Sequence, residues 1–228
     1  MLNIIEIGQD YCIMWREKKG IVAEPEQISL PKLALKNPQH LADSIKDIPK
    51  GKVIFLLNIS QTNVSLLSDA NIPNHFNSDE YINSQAPLPD GRFWLTTIPA
   101  YISINLVEMC RIKKIRIEHI QAIDTLEYRM TNYCYQQLMT NMCLFLPLNS
   151  GIRLIAFDDN GVCSHHYFSN NPKFREKELS RIYQHLDNSL QDVIILSNNP
   201  IYDWLYNFDK GLRFDDNLKE KMITWYLG

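Results

Sequence analysis

An α/β fold made of two halves with the same order of elements is what this sequence predicts, on three observations. Strand-sized apolar or alternating runs are interspersed with segments of helical spacing. A meander of strands followed by a helix and a further strand runs from Leu2, and the same order returns from Met142. Between them lies a polar stretch, Asp69–Asp90, with Pro73, Pro87 and Pro89, which reads as part of an insertion in the first half.

The elements follow in order. Leu2–Gly8 alternates as a strand, Asp10–Arg16 as a second, and Lys18-Lys19-Gly20 turns the chain into a third at Ile21–Glu24. Pro25–Pro38 reads as irregular. Leu41, Ile45 and Ile48 put a helix over Gln39–Ile48, ended by Pro49-Lys50-Gly51. The near-continuous apolar run Lys52–Asn58 is the mark of a buried strand. Thr62–Ser68 reads as a strand, Ser78–Ser84 as a short helix and Phe93–Ile98 as a strand. Ile102, Leu106, Met109 and Ile112 give a helix over Ile102–Lys113, followed by a strand at Ile115–Ile120. Leu126–Leu138 reads as a helix with Asp124-Thr125 as cap residues.

In the second half, Met142–Leu148, Ile152–Phe157 and Val162–Phe168 are strands, joined through Asn149-Ser150-Gly151 and Asp158-Asp159-Asn160-Gly161. Asn-Gly tolerates the positive φ angles of tight hairpins, so the second junction is a hairpin signal. A helix over Lys173–Leu190, a strand at Asp192–Ser197 and helices at Ile201–Phe208 and Asn217–Tyr226 complete the chain. The order, though not the residues, is that of a duplicated RNase H-like fold. Its first half covers 1–141, with an inserted small lobe at about 62–120, and its second covers 142–228.

Composition narrows the function classes. The 228 residues are 45% hydrophobic and 21% charged, enough for a buried core. A formal net charge of −3 argues against non-specific nucleic-acid binding, which needs a basic surface to displace counterions. No apolar run approaches the roughly 18–20 residues of a membrane span. The N-terminus has no basic n-region and carries Glu6 within its apolar stretch, unlike a signal peptide. The five cysteines form no CxxC pair. A cytoplasmic protein is the expectation.

Four segments carry a family resemblance: Ile4-Ile5-Glu6-Ile7-Gly8, Ile98–Asp124 with its closing Ile-Asp, Leu144–Gly161, and the tail Glu220–Gly228 ending Trp225-Tyr226-Leu227-Gly228. In these the chain resembles the actin-like proteins of type IV pilus and type II secretion assembly, PilM and the cytoplasmic domain of GspL, and among them the short competence-type members. The resemblance implies an actin-like ATPase fold. It also implies a partner, the N-terminal cytoplasmic peptide of a bitopic, PilN-like inner-membrane protein, through which a chain without a span of its own is held at the membrane.

The departures from the family pattern bear on its nucleotide loops. ATP-binding members end the first strand in Asp-X-Gly, followed by small residues and a Lys, because small residues admit phosphate and the Asp organises metal and water. Here Glu6 replaces the Asp, Gly8 is kept, Gln9-Asp10-Tyr11 replaces the small residues and Ile13 stands at the Lys position. The second loop, around Leu146–Ile152, has Asn149-Ser150-Gly151 with no acid, and Pro147 lacks a backbone donor. No paired glycines follow Asp192–Ser197. With only 8 Gly in the chain, Glu6, Gly8, Gln9, Asp10, Ser150 and Gly151 are read as degenerate cofactor positions, with no cofactor expected.

Other candidates have plainer explanations. His165-His166 lies in a strand, where neighbours face opposite sides and do not chelate one metal; His40, His75, His119 and His185 have no partner at ligand spacing. Asp158-Asp159 is turn chemistry. Glu6, Asp10 and Asp192 would be needed for an RNase H-type two-metal nuclease site, and only the first two fit its spacing. Cys12 and Cys143 read as core. Tyr81, Phe93, Trp94 and Tyr101 cluster at the inserted lobe, and Tyr and Trp are favoured interface anchors. Within Asp79–Ile104 these four are the candidate lining of a peptide groove. The sequence thus points to a non-enzymatic assembly protein; the alternative is an actin-like ATP-binding protein or ATPase with divergent phosphate loops.

Overall fold

The computed structural model describes residues 2–18, 21–22, 25–48, 51–59, 61–76, 79–88, 91–123 and 125. Beyond these it describes the backbone of five strands from Met142 onward and the single positions Lys173, Lys177 and Ile223. The chain divides into two compact units: Met1–Ala86, Trp94–Met130 and Glu220–Gly228 form the first, Pro87–Phe93 and Thr131–Lys219 the second.

The first unit is organised by two strands, β1 (Leu2–Ile7) and β5 (Lys52–Leu57), that are buried almost throughout. They run parallel in the register Leu2↔Lys52 to Ile7↔Leu57. Parallel strands buried on both faces need continuous apolar runs, which Ile4-Ile5 and Val53–Leu57 supply. β2 (Tyr11–Lys18) returns antiparallel to β1. β3 (Ile21–Val22) and β4 (Glu26–Ser29) both pair with β2, and β9 (Arg116–Ala122) adds a parallel strand beside β5. The sheet order is β3-β2-β1-β5-β9, with β4 off that path. Lys52 Nζ, 2.9 Å from Glu118 Oε2, ties β5 to β9, and this bond holds the Glu118 carboxyl below the usual carboxylate range.

Two helices cover one face of this sheet. In α1 (Pro38–Ser44), Asn37 is the N-cap: its Oδ1 accepts from the amides of Gln39 and His40 at 2.9 and 3.1 Å. Pro38 takes the first helical position, where its missing N–H costs nothing. α2 (Ala100–Lys113) starts directly from the strand before it and ends at Lys114, which adopts the left-handed conformation at φ 55°. Ile5, Ile7, Val53, Phe55 and Leu57 pack with Leu41 and Ile45 of α1 and Ile102, Leu106 and Met109 of α2 in one core. Alternation along the strands puts Ile4, Glu6, Ile54 and Leu56 on the opposite face.

Between β5 and α2 the chain builds a small sheet from β6 (Asn63–Leu67), β7 (Tyr81–Pro87) and β8 (Phe93–Pro99), in the order β6-β8-β7. The central strand β8 is buried from Trp94 to Pro99. The second unit holds β10 (Met142–Leu148), β11 (Gly151–Asp158), β12 (Gly161–Ser169), β13 (Asp192–Ile195) and β14 (Leu212–Phe214), ordered β12-β11-β10-β13-β14. An antiparallel meander leading to a parallel strand repeats the plan of the first unit.

Several expectations change. Pro25–Pro38 is not irregular: it holds β4 and a 3-10 turn at Ala34–Lys36. Among the described residues β4 is a polar strand paired only to β2, and of its residues Ile28 alone reaches the core, so it has no apolar alternation to betray it. Ser78–Ser84 is not a helix; β7 starts at Tyr81, its backbone bonds supplied by the sheet. α1 stops at Ser44, short of Ile48. The insertion is narrower than 62–120, because α2 and β9 belong to the main sheet and its core. The tail Glu220–Gly228 falls in the first unit, and Ile223 there is buried. The helices expected at Leu126–Leu138, Lys173–Leu190, Ile201–Phe208 and Asn217–Tyr226 lie outside the described residues.

Candidate functional site

The C-terminal ends of β1 and β5 converge on a hydrogen-bonded cluster of three side chains. Glu6 comes from β1, Tyr11 opens β2, and Asn58 directly follows β5, its amide donating to Ile7 O at 2.8 Å as an extension of the strand ladder. Glu6 is fully buried. Tyr11 Oη donates to Glu6 Oε1 at 2.9 Å, and Asn58 Nδ2 reaches both Glu6 Oε1 at 2.9 Å and Tyr11 Oη at 2.8 Å. A buried carboxyl needs such donors, since an unsatisfied one carries its full desolvation cost.

The turn joining β1 to β2 is tight. Gly8 N donates to Tyr11 O at 2.9 Å, and Leu30 N donates to Asp10 O at 2.8 Å. Gln9 and Asp10 are exposed at its tip. The ring of Tyr11 lies over Gly8: a Cβ there would fall closer than 3.0 Å to the ring carbons Cε1, Cδ1 and Cζ. Gly8 has no left-handed φ, so glycine is needed here for room. Ile13 stands directly across from Glu6 in the β1–β2 register. Residues opposite one another share a face, so an apolar side chain flanks the carboxyl where a Lys would be cationic.

These residues do not fit a nucleotide phosphate with its metal. The space above Gly8 holds a phenol ring, the Gly8 amide is already donated, and the carboxyl at the end of β1 accepts bonds from Tyr11 and Asn58. In the second unit, β10 and β11 pair up to Leu148↔Gly151. Gly151 is thus a strand residue and only 149–150, outside the described residues, connect the strands. Pro147 lies within β10 opposite Ile152.

The remaining candidates are placed as follows. Asp192 opens β13, at its N-terminal end, paired with Met142. His165 and His166 occupy successive register positions, opposite Ile155 and Leu154. Among the described residues no group of His, Cys, Asp and Glu could hold a metal ion. Cys12 is buried, its thiol pushed up to about 12 by burial and then by the Glu6 and Glu26 charges; burial does the same to Cys110. Cys143 lies in β10, its side chain outside the described residues. Trp94 is 1% exposed, which corrects its reading as a surface anchor. Tyr81 and Phe93 are half-buried, Tyr81 meeting Phe76 edge-on at 5.9 Å, and Tyr101 is exposed.

Sequence reasoning did not single out Asn58, and took Tyr11 only as an obstacle. The available signal was a polar residue directly after the apolar run Val53–Leu57, but its partners are 52 and 47 residues away in sequence.

No protein-family model matches the sequence, and no curated protein does. Solved structures match by fold. A Bacteroides thetaiotaomicron protein with an actin-like ATPase fold and unknown function superposes at a TM-score of 0.67 with 11% identity, covering 98% of this chain and 95% of its own. The PilM–PilN type IV pilus biogenesis complex matches at 0.68 with 9% identity, over 94% of this chain and 88% of that one. The cytoplasmic domain of EpsL, an inner-membrane component of the Vibrio cholerae type II secretion system, matches at 0.61 with 8% identity, over 97% and 94%. The fold is therefore that of the actin-like ATPases, and the likeness to PilM and GspL proteins holds at the level of fold.

Proposed function

We propose that this chain is a non-catalytic assembly protein of a type IV pilus or type II secretion-like machine, one that binds the short N-terminal cytoplasmic segment of a bitopic, PilN-like inner-membrane protein. The observation that carries the reading is the closed β1–β2 turn: the Tyr11 ring fills the space over Gly8 and its hydroxyl, with Asn58, engages Glu6. Likeness of fold to pilus and secretion components supports it. Among the described residues no helix is long and apolar enough to cross a membrane, in keeping with recruitment through a partner.

The small sheet is the surface we assign to that partner. Among the described residues β7 has β8 as its only strand partner, and Ile82 on β7 is 46% exposed. An extended peptide can add a strand at such an edge, its side chains meeting Tyr81 and Tyr101. A labelled PilN-like N-terminal peptide is expected to bind, and Tyr81→Ala and Tyr101→Ala each to weaken it about tenfold, as interface anchors do. Unchanged affinity in both variants removes the site assignment.

The second reading, an ATP-binding protein with divergent loops, is favoured by one feature, the carboxyl of Glu6 kept at the end of β1. A ligand that binds only the native state raises its melting temperature. Under our reading ATP with Mg²⁺ leaves the melting temperature unchanged, whereas a rise of several degrees selects the second.

A further inference from the structure

Helix α2 carries apolar side chains both in the core and on its outward side. Ile102, Leu106 and Met109 point into the core. On the other side Ile104, Val107 and Ile112 are 58%, 48% and 45% exposed, and at 100° per residue they share that side with Tyr101, Glu108 and Arg111. Leu33, just before the 3-10 turn packed beside α2, is exposed as well. It is 62% exposed and sits in the left-handed conformation at φ 68°, which a branched side chain adopts at a cost. The 3-10 turn after it is anchored by buried Ala34 and Leu35, and Asn105 Nδ2 of α2 donates to Leu35 O at 2.9 Å. The turn is therefore tied to the helix, with Leu33 exposed beside it.

The charge of this surface opposes that of the chain. Lys32, Lys36, Arg111 and Lys114 stand here against one acid, Glu108, in a protein of net charge −3. The single acid, Glu108, faces Arg111 at 3.7 Å. Lys32, Lys36, Arg111 and Lys114 are all exposed. Self-association through the patch about a twofold axis would set its basic residues against each other.

We propose that this side of α2 docks directly on an anionic lipid surface. Ile104, Val107, Ile112 and Leu33 enter the boundary between headgroups and acyl chains, and the flanking Lys and Arg meet the lipid phosphates, the combination by which an interfacial helix binds. The contact goes beyond the partner-mediated recruitment above and does not depend on it.

Flotation of the full-length chain with vesicles tests this, using phosphatidylcholine alone and phosphatidylcholine mixed with phosphatidylglycerol. We expect co-flotation with the anionic vesicles only, declining as salt is raised. Lys32→Gln with Lys36→Gln should reduce the partition coefficient by about 25-fold, at about fivefold for each basic residue near the surface. Ile104→Glu with Val107→Glu should abolish flotation while the far-UV spectrum and melting temperature stay those of the parent, since both sites are exposed. No flotation with anionic vesicles at low salt overturns the proposal, as does flotation that neither pair of substitutions changes. A patch that instead holds two copies together, or an acidic protein, with no vesicle binding, likewise overturns it. Peptide binding at the small sheet is expected to be unaffected by Lys32→Gln with Lys36→Gln, which separates failure of this proposal from failure of the functional reading.

Discussion

Gly8→Ala is the sharpest test of the closed β1–β2 turn. The added methyl meets the Tyr11 ring well inside van der Waals contact, and the ring must withdraw until its carbons reach about the 3.4 Å of an ordinary approach. That ring is not a free side-chain end: its hydroxyl is bonded to Glu6 and Asn58 at 2.9 and 2.8 Å. Withdrawal therefore adds the loss of a donor to a buried carboxyl, about 1–3 kcal/mol, to the strain of overpacking, of similar size. Where the ring relaxes partway the two overlap, and we expect a loss of about 2 kcal/mol. In a Tyr11→Ala background the methyl has room, and Gly8→Ala should be neutral or stabilise by up to about 1 kcal/mol through the unfolded chain. Urea unfolding of the four proteins of the cycle gives the coupling directly, provided m is unchanged so that midpoints report stability. An equal cost for Gly8→Ala in both backgrounds would refute the reasoning.

Further outcomes follow from the same structure. Trp94→Ala should cost about 3–5 kcal/mol, as truncation of a fully buried Trp does, and any loss of peptide binding in that variant should track its unfolding. Cys12 and Cys110 should resist thiol reagents in the native protein at pH 8 and react once unfolded in urea, because their thiols stay protonated up to about pH 12 when buried. Their raised values mean that the unfolded chain loses these protons first. Stability from the two groups is thus intact below pH 9 and falls between 9 and about 12, which denaturation midpoints across that range will show. Lys114→Gly should stabilise by about 1 kcal/mol, since glycine adopts the left-handed helix end without penalty.

The reach of the sequence differed from element to element. β1, β5 and β8 were legible because strands buried on both faces leave uninterrupted apolar runs, as in Val53–Leu57 and Trp94-Leu95. α2 was legible from Ile102, Leu106 and Met109, although Ile112, counted with them, lies on the exposed side. β4 and β7 were not, because an edge strand takes its stability from backbone bonds to one neighbour and can be polar throughout. Of the candidate site, Glu6, Gly8 and Tyr11 could be marked as unusual for a phosphate loop. Trp94 could not be told from a surface aromatic, because burial on both faces depends on what lies above and below the strand.

By itself the sequence determined the α/β character, the repeated order of meander and further strand, and the absence of phosphate-loop residues at Gln9–Ile13. These are local properties, written in runs of a few residues. Tertiary structure alone decided that Asn58 and Tyr11 close upon Glu6, because parallel pairing of β1 with β5 sets Leu57 beside Ile7 and so carries a residue some fifty positions away to the same strand end. It alone decided, too, that one apolar side of α2 is core and the other is surface, since a helix has two sides and only packing chooses between them.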